Sequence, residues 1–237
     1  MTVNRAFHEI LIEESVGSWL RPYEVFPVSS RAAFIETIVD AVSVHSLKIR
    51  NIANGVGDSL KQHFEHKFGQ SGSPRYREAQ RNFTESMAAY SIVTYLLQVI
   101  NRFHSPVHCP PFSLPFLWID GLVVWLPGKL QIKDRHNGNI LLDNAGHLIH
   151  IDFGFMLTNS PGGVNFENAP FKLTHELLEV MDSDGSGKPS EMYDYFKLLC
   201  IRTFLAFRKH HDRIIELVEM MAGNVLVSLS LSLFFFF

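Results

Sequence analysis

The stretch that most constrains the fold runs from Lys133 to Gly154, KDRHNGNILLDNAGHLIHIDFG. A polar loop leads into a short apolar strand at Ile140, Leu141 and Leu142, and Asn144-Ala145-Gly146 makes a tight turn. A second strand, Leu148 to Ile151, ends in Asp-Phe-Gly. Two short apolar runs around an Asn/Gly turn predict a hairpin. Such a hairpin holds polar groups at one end of two rigid strands, and these residue types suit phosphoryl transfer from ATP. Asp134 and His136 can position or deprotonate a hydroxyl, and the oxygens of Asn139 and Asp152 are hard ligands for Mg²⁺. An ordinary hairpin with a solvated polar loop is the plain alternative.

The 237 residues, 46% hydrophobic and 12% aromatic, can build one sizeable core or two small lobes. A net charge of −3 gives no reason to expect a nucleic-acid partner. Cys109 and Cys200 lack metal-ligand spacing and fit a reduced, cytoplasmic compartment. The opening MTVNRAFHEILIEES is amphipathic and acidic, unlike a signal peptide.

Periodicity predicts a short helix from Phe7 to Glu14, ending near Gly17, then a β-rich run from Tyr23 to Val28. Ser29 and Ser30 make a turn, Ala33 to Val39 continues as strand, and Ile49 to Gly57 reads as loop. A helix follows from Ser59 to Phe68, then a long one from Tyr76 to Gln98 with Met87, Tyr90 and Tyr95 in the core. Beyond the hairpin, His175 to Met181 is helical. Asp182 to Gly187 imitates a calcium loop, but Tyr193 stands where the bidentate Glu is needed, so a solvated turn is expected. Ser190 to Phe207 and Arg208 to Met221 form two amphipathic helices. The run Arg208-Lys209-His210-His211 reads as a solvated helix junction rather than an anionic-lipid contact.

Protein kinases carry His-Arg-Asp, then an Asn, then Asp-Phe-Gly. Here Asp134 and His136 have exchanged places around Arg135, ahead of Asn139 and Ile151-Asp152-Phe153-Gly154. That order resembles the catalytic core of the phosphatidylinositol 3- and 4-kinases and their protein-kinase relatives. The runs LRPYEVFPVSSRAAFIETIVDAVSVHSLK and GFMLTNSPGGVNFENAPFKLT resemble the beta type of phosphatidylinositol 4-kinase. The resemblance implies an α+β, protein-kinase-like, two-lobed lipid kinase fold. Residues 1–40 are the remnant of an incomplete N-lobe with its hinge, and 41–221 a mainly helical C-lobe.

The resemblance also implies ATP and Mg²⁺ as cofactors, phosphatidylinositol in membranes as acceptor, and the 4-hydroxyl as the site of transfer. Peripheral attachment to intracellular membranes of Golgi type goes with it. His136 takes or relays the hydroxyl proton, Asp134 orients the acceptor or shares the base role, and Arg135 braces the loop. Asn139 and Asp152 hold Mg²⁺, while the carbonyl of Glu36 and the N–H of Ile38 hold the adenine edge. The loop from Phe155 to Thr174 matches the activation loop that meets the lipid head group. Its one cation is Lys172, and phosphorylated inositides call for an Arg/Lys cluster, so plain phosphatidylinositol is the expected acceptor. A related protein kinase is the alternative within enzymes.

Two segments depart from the family. Val99 to Gln131 has five prolines and two of the three tryptophans. Removing it joins Leu96-Leu97-Gln98 to Ile132-Lys133 and restores the family pattern. Valine codons begin GT and Gln131 can be CAG, so a retained in-frame intron is the hypothesis, and a genuine lid insertion the alternative. A membrane span is excluded there because Pro111, Pro115, Asp120 and Pro127 break the apolar run. Residues 222–237 form a low-complexity tail containing VLVSLSLSLFFFF, which a second intron would explain. The family's phosphate loop and strand lysine match nothing in the chain, whose first lysine is Lys48, beyond the hinge. Two classes therefore stand open: a lipid kinase fragment, and a non-catalytic product that binds membranes or partners.

Overall fold

The structure is a computed structural model and describes residues 3–29, 32–103, 116–119, 122–125, 135–153, 171–183 and 188–222. It is a mixed α+β domain, mainly helical in its C-terminal portion. Everything is arranged around α4 (Pro74–Phe103). Proline suits the first turn of a helix, where its missing N–H has no partner to lose. Tyr76, Phe83, Met87, Tyr90, Val93 and Leu97 are all buried along its length. So are Thr84 and Thr94, whose hydroxyls donate to the carbonyls of Gln80 (2.8 Å) and Tyr90 (2.7 Å) four residues back. That local bond lets a polar side chain enter the core without an unmet donor.

Helices close around this axis. α6 (Glu191–Lys209) packs Phe196, Leu199, Cys200, Ala206 and Phe207 into the core. α1 (Val3–Glu13) seats Phe7 against Phe207, with ring centroids 4.6 Å apart. α7 (His211–Ala222) is tied to α1 by Arg213, which pairs with Glu9 and Glu13. At the α6–α7 junction, Lys209 and His210 both meet Glu14 (2.8 and 2.7 Å), so this basic run is a pinned helix junction. α3 (Leu60–Phe68), with Ser59 in a capping box with Gln62, and α5 (His175–Val180) complete the shell.

Against the other side of α4 lies an antiparallel sheet of β3 (Ala41–Ser43), β6 (Ile140–Asp143) and β7 (Leu148–His150), in that order. Ala41 pairs with Asp143, and Ile140 with His150. The β6–β7 turn is fitted to the helix. Gly146 has φ +98°, and a Cβ there would stand 2.8 Å from the Ala79 carbonyl oxygen. Asn82 donates to the Ala145 carbonyl (2.9 Å), and the Leu148 N–H donates to Ser86 Oγ (2.8 Å). Asp143 accepts from the N–H groups of Ala145 and His147 and pairs with His147 Nδ1. Burial pushes this carboxyl up, but the bonds from His147 and Ala145 outweigh it and hold the pKa below its ordinary value.

Two further hairpins stand apart from the core sheet. β1 (Val25–Ser29) pairs with β2 (Ala32–Ile35), and β4 (Phe116–Ile119) with β5 (Leu122–Trp125). β4 and β5 fall within Val99–Gln131, as do the last residues of α4. The remainder of that segment, residues 154–170 of the loop after Asp-Phe-Gly, and 223–237 lie outside the described residues.

Three local expectations are corrected. The strand expected from Ala33 to Val39 stops at Ile35. The Glu36 N–H still reaches the Glu24 carbonyl (2.9 Å), but Ile38 then turns into the core and the chain bends at Val39-Asp40. Ser29 belongs to β1 rather than to a turn. The loop expected from Ile49 is instead the second half of α2 (Val44–Ala53). Ser43 caps this helix by accepting from the Ser46 N–H (3.2 Å), and Val44, Leu47 and Asn51 form its buried stripe. Asn51 is polar yet buried because its side chain meets His63 Nδ1 at 3.2 Å.

Gly146→Ala should lower stability by about 1–3 kcal/mol, since it combines a left-handed backbone with a clash against α4. Urea unfolding measures this, and an unchanged midpoint would contradict the close docking of the hairpin on Ala79.

Candidate active site

The site forms where the β6–β7 hairpin ends. The Asn139 N–H donates to the His136 carbonyl (3.0 Å), closing the polar loop, and the Asn139 carbonyl accepts from the Ile151 N–H (3.0 Å). That rung sets Asn139, at the start of β6, beside Asp152, just past β7. Asn139 is buried and Asp152 exposed. Arg135 fastens the second strand to the loop. Its guanidinium donates to the Ile151 carbonyl (2.9 Å) and to the Asp152 carbonyl, and lies over the Phe153 ring, 5.0 Å from the centroid. A planar fork can serve two adjacent carbonyls and an aromatic face together, which an ammonium cannot. Asp152 is held at φ +53°, a sparsely populated conformation for a residue with a side chain, of the kind that clusters at functional sites.

His136 is exposed, and its Nδ1 accepts from the Gly138 N–H (3.0 Å). In the neutral ring this bond places the proton on Nε2. A Cβ at Gly138 would stand 2.7 Å from His136 Cε1, so a side chain there would displace the ring from this position. Between them, Asn137 ties the loop to its surroundings. Its carbonyl accepts from the His45 N–H at the start of α2 (3.0 Å), and its Oδ1 accepts from Lys172 Nζ (2.6 Å). Lys172 is thus anchored to this loop.

Behind the site, His150 is 4% exposed and stacks on Tyr90, with centroids 4.7 Å apart and an interplanar angle of 19°. Burial, reinforced by Arg135 and Lys172, pushes its pKa down to about 3. Burial pushes the Tyr90 phenol up; its oxygen accepts from the Arg21 N–H (3.3 Å), and the Arg21 guanidinium pairs with Asp40 (3.1 Å).

The structure therefore brings Arg135, His136, Asn139, Asp152 and Lys172 together, while Asp134 lies outside the described residues. Glu36 and Ile38 sit at the open end of the β1–β2 hairpin. Glu36 is exposed, with its carboxylate accepting from the Glu24 N–H (2.8 Å), and Ile38 is buried. Tyr23 joins this end to the site, because its hydroxyl is hydrogen-bonded to the Asp152 backbone, with burial raising its pKa. Sequence reasoning missed Tyr23, whose partner is remote in the chain and follows no spacing rule. His150 was read only as part of an apolar strand.

The donor set fits Mg²⁺. A carboxylate and an amide are hard oxygen donors, and Mg²⁺ at phosphoryl-transfer sites takes one or two protein oxygens with the rest from phosphate and water. Among the described residues no group of three His, Cys, Asp or Glu could hold a metal ion.

A hairpin that delivers an Asn and an Asp next to the Arg135-His136 loop, backed by one long buried helix, fits a catalytic domain of the kinase type. The chain belongs to the phosphatidylinositol 3- and 4-kinase family, whose profile matches residues 1–105 and 129–231. It is 54% identical over 220 residues to "Phosphatidylinositol 4-kinase beta 2" of Arabidopsis thaliana, covering 92% of this chain and 16% of that protein. It is 44% identical to "Phosphatidylinositol 4-kinase" of Dictyostelium discoideum, covering 92% and 15%, and 37% identical to "Phosphatidylinositol 4-kinase beta" of Xenopus tropicalis, covering 92% and 22%. The chain thus spans between 15% and 22% of the length of these relatives.

His150 predicts a pH dependence of stability. With a folded pKa near 3 and an unfolded value near 6.5, the unfolded chain binds the extra proton between those limits. This contribution is fully present above about pH 6.5 and is lost as pH falls toward 3, at roughly 1 kcal/mol per pH unit. Denaturant midpoints measured from pH 7 to 5 should fall, and His150→Phe, which keeps the stack on Tyr90, should flatten the decline. An identical slope in the variant would show that His150 is not buried neutral.

Proposed function

We propose that this chain is catalytic-domain sequence of a phosphatidylinositol 4-kinase, transferring the γ-phosphate of ATP to the 4-hydroxyl of phosphatidylinositol to give phosphatidylinositol 4-phosphate. The observation that carries the reading is the rung between Asn139 and Ile151, which sets Asn139 beside Asp152 next to the Arg135-His136 loop. The similarity to proteins named phosphatidylinositol 4-kinase beta supports the choice of lipid.

Asp152 and Asn139 would hold Mg²⁺, which neutralises charge on the phosphates when bound. Arg135 keeps those two ligands in register by fixing the carbonyls of Ile151 and Asp152. His136, with its proton on Nε2, donates a hydrogen bond toward the reacting oxygens. To accept the hydroxyl proton at Nδ1 it must first release the Gly138 N–H, so Asp134 shares the base role. The Glu36 carbonyl and Ile38 N–H take the adenine edge. Lys172 faces the acceptor from the end of the activation loop while holding Asn137.

Attachment to an intracellular membrane of Golgi type would be peripheral. Among the described residues no helix is long and apolar enough to cross a membrane. In domain terms, residues 1–40 form the N-lobe and hinge portion, 41–221 the C-lobe interrupted by 99–131, and 222–237 a tail. The stretch 106–128 lies outside both segments matched by the family profile, which supports reading Val99 to Gln131 as foreign to the family core. One observation favours the second class, a product that does not turn over by itself. The first lysine, Lys48, lies on α2 and pairs with Glu176 (2.8 Å), so it cannot hold the ATP phosphates.

In a protein joining this chain to a complete kinase N-lobe, Asp152→Ala should reduce lipid phosphorylation at least ~10²-fold with the fold intact. His136→Ala should cost roughly 10²–10⁴-fold. Near-normal activity of Asp152→Ala would contradict the assignment, and a twofold loss at His136 would move the proton transfer to Asp134. Chromatography of labelled products from mixed lipids should show phosphatidylinositol preferred over its phosphorylated forms, because Lys172 is the only cation between Phe155 and Thr174. A dominant bisphosphate product would contradict that account of the loop.

A further inference from the structure

The peptide between Asn137 and Gly138 is held in a way that phosphoryl transfer does not call for. Its carbonyl accepts from the His45 N–H (3.0 Å), and its N–H donates to His136 Nδ1 (3.0 Å). The Asn137 side chain is fixed as well, because Oδ1 accepts from Lys172 Nζ (2.6 Å). An ammonium only donates, so the amide oxygen faces it and the amide nitrogen is turned away. Lys172 reaches this oxygen from a segment whose neighbours, Phe171 and Leu173, pack against the core.

Asparagine followed by glycine is the pair in which a backbone nitrogen most readily attacks the side-chain amide. Glycine has no Cβ to obstruct the approach, and its backbone rotates freely. The attack closes a succinimide ring, and in water it is slow for two reasons. The peptide N–H must give up its proton, and negative charge gathers on the amide oxygen. Both needs are met here. His136 Nδ1 lies within reach of the Gly138 proton, where a general base belongs. The Lys172 ammonium lies on the oxygen that becomes charged, where an oxyanion donor belongs. His136 is exposed and Asn137 and Gly138 are half-buried, so water reaches the loop.

The chain's other Asn-Gly pair supplies the contrast. Asn54 and Gly55 are exposed at the end of α2, where the Gly55 N–H donates to the Ile52 carbonyl (3.1 Å). A peptide carbonyl is far too weak a base to take that proton.

We propose that Asn137 is a self-modifying site, at which His136 and Lys172 promote deamidation through a succinimide and leave aspartate or isoaspartate in the loop. Rotation of the Asn137 side chain brings Cγ onto the Gly138 nitrogen, and the flexible lysine stem follows the oxygen. The nitrogen gives its proton to His136 and bonds to Cγ, forming a tetrahedral centre whose oxygen Lys172 holds. The Cγ–Nδ2 bond then breaks, and ammonia leaves with the proton returned from His136. Water opens the ring at Cγ to give aspartate, or at the backbone carbonyl to give isoaspartate. Either product sets a carboxylate beside Lys172, and isoaspartate adds a methylene to the main chain ahead of Gly138. The chemistry is independent of the kinase reading and needs neither nucleotide nor lipid.

Ageing of the full chain in neutral buffer tests this, with the Asn137 and Asn54 peptides followed by protease digestion, chromatography and mass spectrometry. In the folded chain Asn137 should react at least ~10-fold faster than Asn54 and yield isoaspartate as well as aspartate. His136→Phe and Lys172→Met should each slow Asn137 about tenfold while leaving Asn54 unchanged, with circular dichroism confirming the fold. In urea, where the three groups separate, the two sites should react at similar rates, a comparison that holds even for a variant that does not fold. An Asn137 rate no faster than that of Asn54 would overturn the proposal. So would a rate unmoved by either substitution, an advantage that survives urea, or aspartate formed without isoaspartate.

Discussion

The site depends on one guanidinium. Arg135 holds the carbonyls of Ile151 and Asp152 and covers Phe153, so three consecutive residues after β7 answer to a single side chain of the preceding loop. Without it, two carbonyls at the mouth of the site would turn to water, and Asp152 would lose a support of its left-handed conformation. The Asn139–Ile151 rung fixes the other dimension. Together they give the end of a short hairpin a fixed arrangement of Asn139 and Asp152, which is what the proposed transfer of a highly charged group would require of a protein scaffold.

That arrangement is only as rigid as its backing. β7 rests on α4 through the Leu148–Ser86 bond, the His150–Tyr90 stack and the close approach of Gly146 to Ala79. Tyr90 also meets the Arg21 backbone, while Arg21 reaches Asp40, and Tyr23 reaches the Asp152 backbone. The segment leading to β1 is thereby fastened to both the central helix and Asp152. A nucleotide held at the hinge and a metal held at Asp152 would share one framework, with Tyr23 and Tyr90 as its cross-members.

Much of this was legible in the residues. The hairpin was marked by its apolar runs and Asn-Ala-Gly turn, α4 by a long stretch free of Gly and Pro, and the linked Asp-Arg-His and Asp-Phe-Gly motifs led to the family. Elsewhere local pattern misled. α2 looked like a loop because its buried stripe includes the polar Asn51, whose partner His63 lies on another helix, and because its exposed positions mix Ile with Arg, His and Ser. The strand through Glu36 to Val39 looked continuous because Ile38 keeps the apolar alternation, although it points into the core rather than along a ladder. Tyr23 carried no signal, since a single long-range hydrogen bond leaves no spacing to detect.

The central claim is that Asn139 and Asp152 form one cation-binding edge held by Arg135. Paramagnetic broadening of backbone amide signals by Mn²⁺, titrated with a non-hydrolysable ATP analogue, tests it most directly. The signals of Asn139 and Asp152 should broaden first and together, and Arg135→Ala should uncouple them so that Asp152 responds weakly or not at all. Broadening centred on other acidic residues, such as Glu9 and Glu13 on α1, or an unchanged pattern in Arg135→Ala, would contradict the account.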